Sequence, residues 1–196
     1  MKKNFFTALA VCVTISCYAQ KEISAAVLLN QIRDGKTVDY ENVTITGDIN
    51  FPSSETATPT GKYPQNGKTV YVLSNFLMPS ISFRNCVFKG RLNFCFKKES
   101  DSEKKEYRVE FKNDVFFENC LFEKIADFEL VNFDKGVSFE GSVFREQPKF
   151  VRVGLYQKPA LAGIKLDKGC LFQLDQSKKS QVFSAQELTK IINAMR

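Results

Sequence analysis

The segment at residues 115–150 reads VFFENCLFEKIADFELVNFDKGVSFEGSVFREQPKF. Its large apolar residues follow one another at alternating steps of five and six, and they are Phe117, Phe122, Phe128, Phe133, Phe139, Phe144 and Phe150. A helix repeats apolar residues roughly every three to four positions and a strand roughly every two, so this eleven-residue period fits neither. A longer fixed period indicates a repeat protein, in which a small unit buries its apolar face by stacking on copies of itself.

The same spacing recurs earlier in the chain, in Tyr40, Ile45 and Phe51 and again in Phe83, Phe88 and Phe94. The position two residues before the second large residue of each group is small or medium, and it is occupied by Val43, Cys86, Cys120 and Ser142. This alternation predicts large and small inward side chains in the narrow interior of a coil.

Two half-repeats follow an F-x-G-x-x-x-F pattern: Phe88-Lys-Gly-Arg-Leu-Asn-Phe94 and, with Ile in place of the first Phe, Ile45-Thr-Gly-Asp-Ile-Asn-Phe51. These motifs resemble the pentapeptide-repeat family, whose units carry a large central apolar residue with a small residue two positions earlier. The resemblance covers residues 38–51, 81–96 and 109–150 well and residues 169–172 weakly. It implies an all-β fold, a right-handed quadrilateral parallel β-solenoid, which we expect to span residues 38–175 with loop insertions. Phe83 should then stack on Phe117, and Phe117 on Phe139.

The first nineteen residues have the form of a signal peptide. Lys2 and Lys3 precede an apolar stretch that is short for a membrane span, and Cys17-Tyr18-Ala19 gives a small-x-small cleavage site before Gln20. We expect the mature protein to begin at Gln20 in the periplasm or outside the cell, with no stable membrane span. The alternative is an outer-membrane lipoprotein processed at Cys17.

Amphipathic helices are expected at both ends of the repeat region. In residues 20–37, Ser24 precedes apolar residues at helical spacing, and Gly35 gives a stop signal. In residues 176–196, Ser184 and Glu187 form a capping box before a second amphipathic run. Because the open end of a coil exposes strand edges and core, these helices predict caps and a monomer.

Charge and composition narrow the function. The chain has 28 basic and 22 acidic residues, and removal of Lys2 and Lys3 lowers the net charge from +6 to +4. Residues 97–106 interleave Lys with Asp and Glu, which indicates a solvated loop, so we expect no nucleic-acid partner. The chain contains no His and no Trp, which excludes imidazole catalysis and His-ligated metals. We expect no cofactor and no metal.

The cysteines of the mature chain are predicted to have structural roles. Cys86, Cys120 and Cys170 are expected to fill small inward positions, whereas Cys95 has no such explanation and is expected to be exposed. Stacked cysteines at rung spacing lie within disulfide reach, but parallel side chains suit the twist of the bond poorly.

Acidic residues beside the phenylalanines leave an enzymatic alternative open, because parallel β-helix enzymes that cleave acidic polysaccharides use clustered carboxylates and cations. The candidate cluster contains Asp127, Glu129, Asp134, Glu140 and Arg145. Outward polar residues are expected in every repeat, so this cluster alone does not indicate catalysis.

Three irregular segments follow Phe51, Phe94 and Phe150, which should stack in one column. Segments 52–68, 97–106 and 151–163 would then leave one corner of the coil, and loops on a rigid scaffold commonly carry binding surfaces. The candidate binding residues are Tyr63, Tyr156, Arg152, Lys62 and Lys98. We therefore expect an exported, non-enzymatic interaction or structural module of the bacterial envelope that binds a protein or, alternatively, a glycan.

Overall fold

The computed structural model describes residues 21–173 and 181–194, and the chain is mostly β-structure with parallel sheets. The signal peptide and its cleavage site before Gln20 lie outside the described residues. Within the described ranges, neither helix is long and apolar enough to cross a bilayer.

The chain passes through four sheets in the same order, and one such pass is called a circuit. The first circuit consists of β2 (Val38–Glu41), β3 (Val43–Thr46), β4 (Ile49–Asn50), β5 (Thr58–Gln65) and β6 (Lys68–Leu77). The second consists of β7 (Ile81–Arg84), β8 (Val87–Phe88), β9 (Leu92–Asn93), β10 (Cys95–Glu99) and β11 (Glu103–Phe111). The third consists of β12 (Val115–Glu118), β13 (Leu121–Phe122), β14 (Ala126–Asp127) and β15 (Asn132–Phe133). The fourth consists of β16 (Val137–Ser138), β17 (Val143–Phe144), β18 (Lys149–Val151) and β19 (Gly154–Leu155).

Strand β1 (Lys21–Ser24) precedes these circuits, and β20 (Lys165–Leu166), β21 (Cys170–Gln173) and β22 (Gln181–Phe183) follow them. Sheet I has the order β16-β12-β7-β2, and sheet II has the order β1-β3-β8-β13-β17-β20. Sheet III has the order β22-β21-β18-β14-β9-β4. Sheet IV has the order β19-β15-β11-β6-β5, with β10 paired to β11. The pairings are parallel except in β5–β6, β10–β11 and β21–β22.

Each sheet contributes one column of large residues to the core. In sheet I, Phe83 stacks on Phe117 and Phe117 on Phe139, each at 5.5 Å between ring centroids, as predicted. The column of sheet III joins Phe51, Phe94, Phe128 and Phe150 at 4.4 to 4.7 Å, so the predicted alignment is also confirmed. Steps of five and six residues therefore carry the chain from one sheet to the next.

The small inward residues form their own column and satisfy backbone carbonyls. The thiols of Cys86 and Cys120 donate to the carbonyls of Tyr40 and Phe83 at 3.5 and 3.4 Å. The Ser142 hydroxyl makes the equivalent bond to the carbonyl of Phe117 at 2.8 Å. Each of these small polar side chains thus bonds to a backbone carbonyl of the preceding circuit. Cys86, Cys95, Cys120 and Cys170 are free thiols.

A second column stands at the corner between sheets I and II. Its residues have positive φ angles between 52° and 71°, and they are Asn42, Asn85, Asn119, Gly141 and Gly163. Asparagine and glycine tolerate this left-handed conformation better than other residues. The Asn in the repeated Glu-Asn and Arg-Asn pairs is therefore explained by the turn.

Circuit length varies, and the variation is confined to sheet IV. The partners Ile45, Phe88, Phe122, Phe144 and Leu166 lie 43, 34, 22 and 22 residues apart. The excess in the first two circuits lies in β5, β6, β10 and β11. Segments 52–68 and 97–106 were predicted as loops, but both contain strands. Segment 151–163 is no insertion at all, since its circuit has the basic 22-residue length.

A helix lies at each end of the described chain. Helix α1 (Ala25–Arg33) begins after the N-cap Ser24 and buries Leu28 and Ile32 in the core. The helix follows Ser24 as expected, and the residues before it form strand β1, which pairs in register with β3. In helix α2 (Ala185–Ala194), the backbone N–H of Ser184 donates to Glu187 at 2.8 Å, and Leu188 is buried.

Replacement of Phe122 by alanine should lower the free energy of unfolding by about 3–5 kcal/mol, because the emptied site lies between Phe88 and Phe144 at 4.8 and 4.4 Å. Thermal and urea unfolding measure the loss. Tyr156→Ala is the control, since Tyr156 is 73% exposed and its loss should cost less than about 1 kcal/mol. Equal effects of the two substitutions would contradict the stacked core.

Replacement of Gly90 by alanine should destabilise the protein by about 1–3 kcal/mol, because the added Cβ would overlap the backbone carbonyl of Gly47 in the preceding circuit. Gly61→Ala is the control, since its Cβ would meet nothing within 4 Å. Chemical denaturation compares the two variants. A Gly90→Ala protein as stable as Gly61→Ala would show that the two circuits do not approach closely at this position.

Candidate functional site

The two long circuits build a four-stranded sheet that we call the extension, with the order β5, β6, β11 and β10. Strands β6 and β11 pair in parallel over nine residues, from Thr69 opposite Glu103 to Leu77 opposite Phe111. Antiparallel hairpins add β5 outside β6 and β10 beside β11. Side chains alternate across a strand, so the extension has two faces with different residues.

One face of the extension, the ion-pair face, carries charges of alternating sign along β11. Its members on this strand and directly after it are Lys104, Glu106, Arg108, Glu110 and Lys112. Lys104 pairs with Glu106 at 2.9 Å, and Lys112 pairs with Glu110 at 3.0 Å. Ser74 donates to Glu110 at 2.6 Å. Opposite charges on successive outward positions therefore neutralise one another within the fold.

Arg152 joins the ion-pair face to the circuits below it. Its guanidinium donates to Glu129 at 3.0 Å and to Glu106 at 3.4 Å, while the Tyr63 hydroxyl donates to Glu106 at 3.1 Å. The Glu106 side chain is only 2% exposed. Burial acts to raise the pKa of this carboxyl, but the bonds to Lys104 and Arg152 outweigh it and hold the pKa below its usual value.

The other charged groups of this junction respond in the same way. Burial opposes ionisation of Glu129, yet Lys97 and Arg152 lower its pKa. Burial likewise opposes the charged form of Arg152, but Glu129 and Glu106 raise its pKa. Burial and the Glu106 charge together raise the pKa of Tyr63. The junction is therefore a compensated network that holds its cations and carboxylates charged.

Cys95, Asp127 and Glu129 approach one another beside this network, with one ligand atom of each within 4.8 Å of the others. Asp127 already pairs with Lys149 at 2.7 Å, and Glu129 pairs with Lys97 at 2.7 Å. Burial and the Glu129 charge raise the pKa of the Cys95 thiol to about 12, which disfavours the thiolate that a metal requires. Cys95 is half-buried rather than exposed as expected. The two carboxylates of the trio are thus already engaged in ion pairs.

The opposite face of the extension, the lysine face, has a different composition. Cross-strand register places Lys62 next to Tyr71, Tyr71 next to Lys105, and Lys105 next to Lys98. On the same face, two residues from Lys98 and Lys105, the rings of Phe96 and Tyr107 stack with their centroids 4.2 Å apart. The Lys98 ammonium lies 5.6 Å from each of these two ring centroids.

The five predicted binding residues are therefore divided among three places. Tyr63 and Arg152 meet through Glu106 on the ion-pair face, whereas Lys62 and Lys98 lie on the lysine face. Tyr156 is outside the extension, after β19, and is 73% exposed. Adjacent residues of a strand point to opposite faces, which separates Lys62 from Tyr63. Arg152 also has structural partners that an ordinary surface arginine would lack.

Of the residues considered for polysaccharide cleavage, Asp127 and Glu129 lie together beside Cys95, and the others lie elsewhere. Asp127 lies in sheet III and pairs with Lys149, while Asp134 follows β15 in sheet IV and pairs with Lys112 at 2.7 Å. Glu140 follows sheet I, and Arg145 follows sheet II and pairs with Asp167 at 3.4 Å. Successive residues of the sequence are distributed around the coil, because each belongs to a different sheet.

Lys105, Tyr71, Phe96 and Tyr107 were missed as candidate site residues. The sequence did contain signals for them. Residues 104–112 alternate charged with largely apolar side chains, and residues 69–73 read TVYVL, both typical of strands. The interleaved charges of residues 97–106 hide this alternation and favour a loop.

The depressed pKa values of Glu106 and Glu129 predict loss of stability in acid. Their contribution is complete above the unfolded glutamate pKa, about 4.3, and is lost as the pH falls through the lower folded values. The double variant Glu106→Gln/Glu129→Gln should therefore show a flatter fall in unfolding free energy below about pH 4.3 than the wild type.

Urea unfolding between neutral and acid pH measures this dependence. Glu55→Gln/Glu140→Gln is the matched control, because both side chains are exposed and lie outside the network. The control should keep the wild-type dependence. A Glu106/Glu129 variant that also keeps it would exclude this network as a source of acid sensitivity.

The extension thus presents an ion-pair face that is neutralised internally and a lysine face that is not. Comparison of the chain with protein-family models, curated proteins and solved structures finds no match.

Proposed function

We propose that this chain is an exported, non-enzymatic interaction module of the bacterial envelope, built on a right-handed quadrilateral β-solenoid of the pentapeptide-repeat type. The constant order of the four sheets and the 22-residue circuits support the solenoid. The half-repeats that end at Phe51 and Phe94 support the family resemblance, because their glycines bring Gly47 and Gly90 of successive circuits together. The charged and apolar pattern of residues 1–19 supports export.

The two helices fit the role of caps in this proposal. Helix α1 packs Leu28 and Ile32 against the core near the first circuit, and α2 packs Leu188 near the last strands. Covered ends would prevent solenoids from stacking end to end, which favours a monomer. A monomeric solenoid then offers its sides as the surface for a partner.

The observation that carries the proposal is the extension. Only the two circuits that contain it depart from the basic 22-residue length among those compared by register, and the departure is confined to sheet IV. Core formation needs only the last residues of β6 and β11, such as Leu77, Val109 and Phe111, since the later circuits close with two-residue strands in sheet IV. An added sheet that presents exposed side chains on a rigid scaffold is typical of recognition.

A non-enzymatic role is favoured by the distribution of reactive groups. Among the described residues, Asp127 and Glu129 are the only two carboxylates of the candidate cluster that lie together, and these two and Asp134 are engaged with lysines or arginine. The chain has no His to act as a general base. The remaining enzymatic alternative is cleavage of an acidic polysaccharide, and it makes a distinct prediction, the release of new chain ends.

Site-specific photo-crosslinking in cells should identify the extension as the contact surface. A photoreactive residue at Thr69 or Gln65 samples the two faces of the extension, and one at Lys124 or Glu140 samples exposed positions on the circuits. We expect crosslinked products from an extension position and none from the circuit positions. The products are detected as mass-shifted protein in envelope fractions.

Two results would overturn the proposal. A crosslinking yield from Lys124 and Glu140 equal to that from Thr69 and Gln65 would exclude the extension as the binding surface. Release of new chain ends from acidic polysaccharides by the purified protein would replace recognition with catalysis. Purified mature protein with a neutral polysaccharide serves as the control for the activity measurement.

A further inference from the structure

We propose that the lysine face of the extension binds an anionic glycan chain, with Lys62, Lys105 and Lys98 contacting its carboxylate or sulfate groups. The inference rests on the proposed function and names the class of partner. The glycan is proposed to contact the lysine face only, because the ion-pair face holds the extension against the circuits.

The first observation is the alignment of the cations. Lys62, Lys105 and Lys98 occupy one cross-strand row, with Tyr71 between Lys62 and Lys105. Neighbouring strands lie about 4.8 Å apart, so the row spans roughly 14 Å from β5 to β10. A linear polymer with an acidic group on successive units matches a row of this kind better than a single small anion does.

The second observation is that these three lysines are not neutralised by ion pairs. All three lysines are exposed, and none forms an ion pair with a carboxylate among residues 21–173 and 181–194. On the other face, Lys97 and Lys104 of the same two strands are each paired with glutamate. The face therefore attracts negative charge from outside the molecule.

Register shows that this arrangement does not serve stability. Lys98 stands directly opposite Lys105, and like charges at directly opposite positions destabilise an antiparallel pair. The nearest acidic residue on this face of β11 is Glu103, two residues before Lys105. The face therefore carries three cations and one carboxylate around this row. An anionic ligand would relieve the repulsion, and this gives the row a physical reason beyond folding.

The surroundings favour a glycan over a protein segment. Protein partners usually insert an apolar or aromatic anchor into a pocket, or offer one. On the lysine face, Tyr107 is only 6% exposed because Phe96 stacks on it. Strand addition at the free edge of β5 is hindered by Pro59 and Pro64. The accessible surface is a row of ammonium groups next to the stacked rings of Phe96 and Tyr107.

The same geometry disfavours single-stranded nucleic acid. Sequence-independent binding of such strands depends on exposed ring faces on which bases stack. The Tyr107 ring is covered by Phe96, and the Lys98 ammonium lies 5.6 Å from both ring centroids. Three exposed cations beside rings that are half-buried or buried suit carboxylate or sulfate groups on sugars better than stacked bases.

Binding of defined polysaccharides to the purified mature protein tests the inference. The probes are polygalacturonate for carboxylates, heparin for sulfates, and dextran as a neutral polymer. We expect the protein to bind at least one anionic probe, and not dextran, with an affinity that falls as ionic strength rises, because screening weakens contacts between exposed charges. Preference between the first two probes distinguishes the acidic group.

The decisive variant is Lys62→Glu/Lys98→Glu/Lys105→Glu. It should lose at least about tenfold in affinity, equivalent to about 1.4 kcal/mol. The matched control Lys124→Glu/Lys135→Glu/Lys165→Glu makes the same change in net charge at exposed positions on the circuits and should keep wild-type affinity. Thermal unfolding of both variants verifies that each remains folded, and a Lys→Gln version of the decisive variant replaces it if the glutamates prevent folding.

Three outcomes overturn the inference. The wild type binds neither anionic probe, or both triple variants lose affinity equally, or single-stranded DNA binds more tightly than either glycan at equal ionic strength. The crosslinking experiment separates failure of this inference from failure of the proposed function. Crosslinks to a protein at Thr69 or Gln65, together with no glycan binding, would leave the extension as a recognition surface for a different partner.

Discussion

Stacking of aromatic rings between successive circuits is the interaction on which the rest of the structure depends. Rings such as Phe88, Phe122 and Phe144 lie 4.4 to 4.8 Å apart, close to the distance between neighbouring strands, so the same register satisfies backbone hydrogen bonds and buries side chains. Burial of each ring contributes about 1.5–3 kcal/mol, which offsets the ordering of strands as short as two residues. Thiol and hydroxyl bonds from Cys86, Cys120 and Ser142 then tie each circuit to the preceding one.

This dependence explains where the chain tolerates additions. Any added residue within sheets I to III would displace a ring from its column or a small residue from its carbonyl. In sheet IV, β6 and β11 lengthen together and pair with each other over nine residues, so the additions satisfy their own backbone hydrogen bonds. The extension can therefore be present in two circuits without disturbing the column of Leu77, Phe111 and Phe133, which begins at the core ends of β6 and β11.

The two faces of the extension show how one strand can separate a structural role from the recognition role that we propose. On β11, Glu106 is buried in a network with Lys104, Tyr63 and Arg152, which attaches the sheet to the fourth circuit. The neighbouring Lys105 points to the other side, where no carboxylate in the described part of the chain forms an ion pair with it. Alternation along one strand thus lets the ion-pair face hold the extension in position while the lysine face remains available to a partner.

The sequence by itself determined the repeat, its parallel β-structure, the ring stacking of Phe83, Phe117 and Phe139, and the helix after Ser24, because these depend on local spacing and on contacts between equivalent positions. It did not determine which of the candidate binding residues share a face. Tyr63 and Lys62 are adjacent in the sequence but lie on opposite faces, and Lys62, Lys105 and Lys98 come together only through the pairing of four strands. Pairing register and the face that each side chain takes are decided by contacts between distant segments, so only the tertiary structure separated the neutralised cations from the exposed ones.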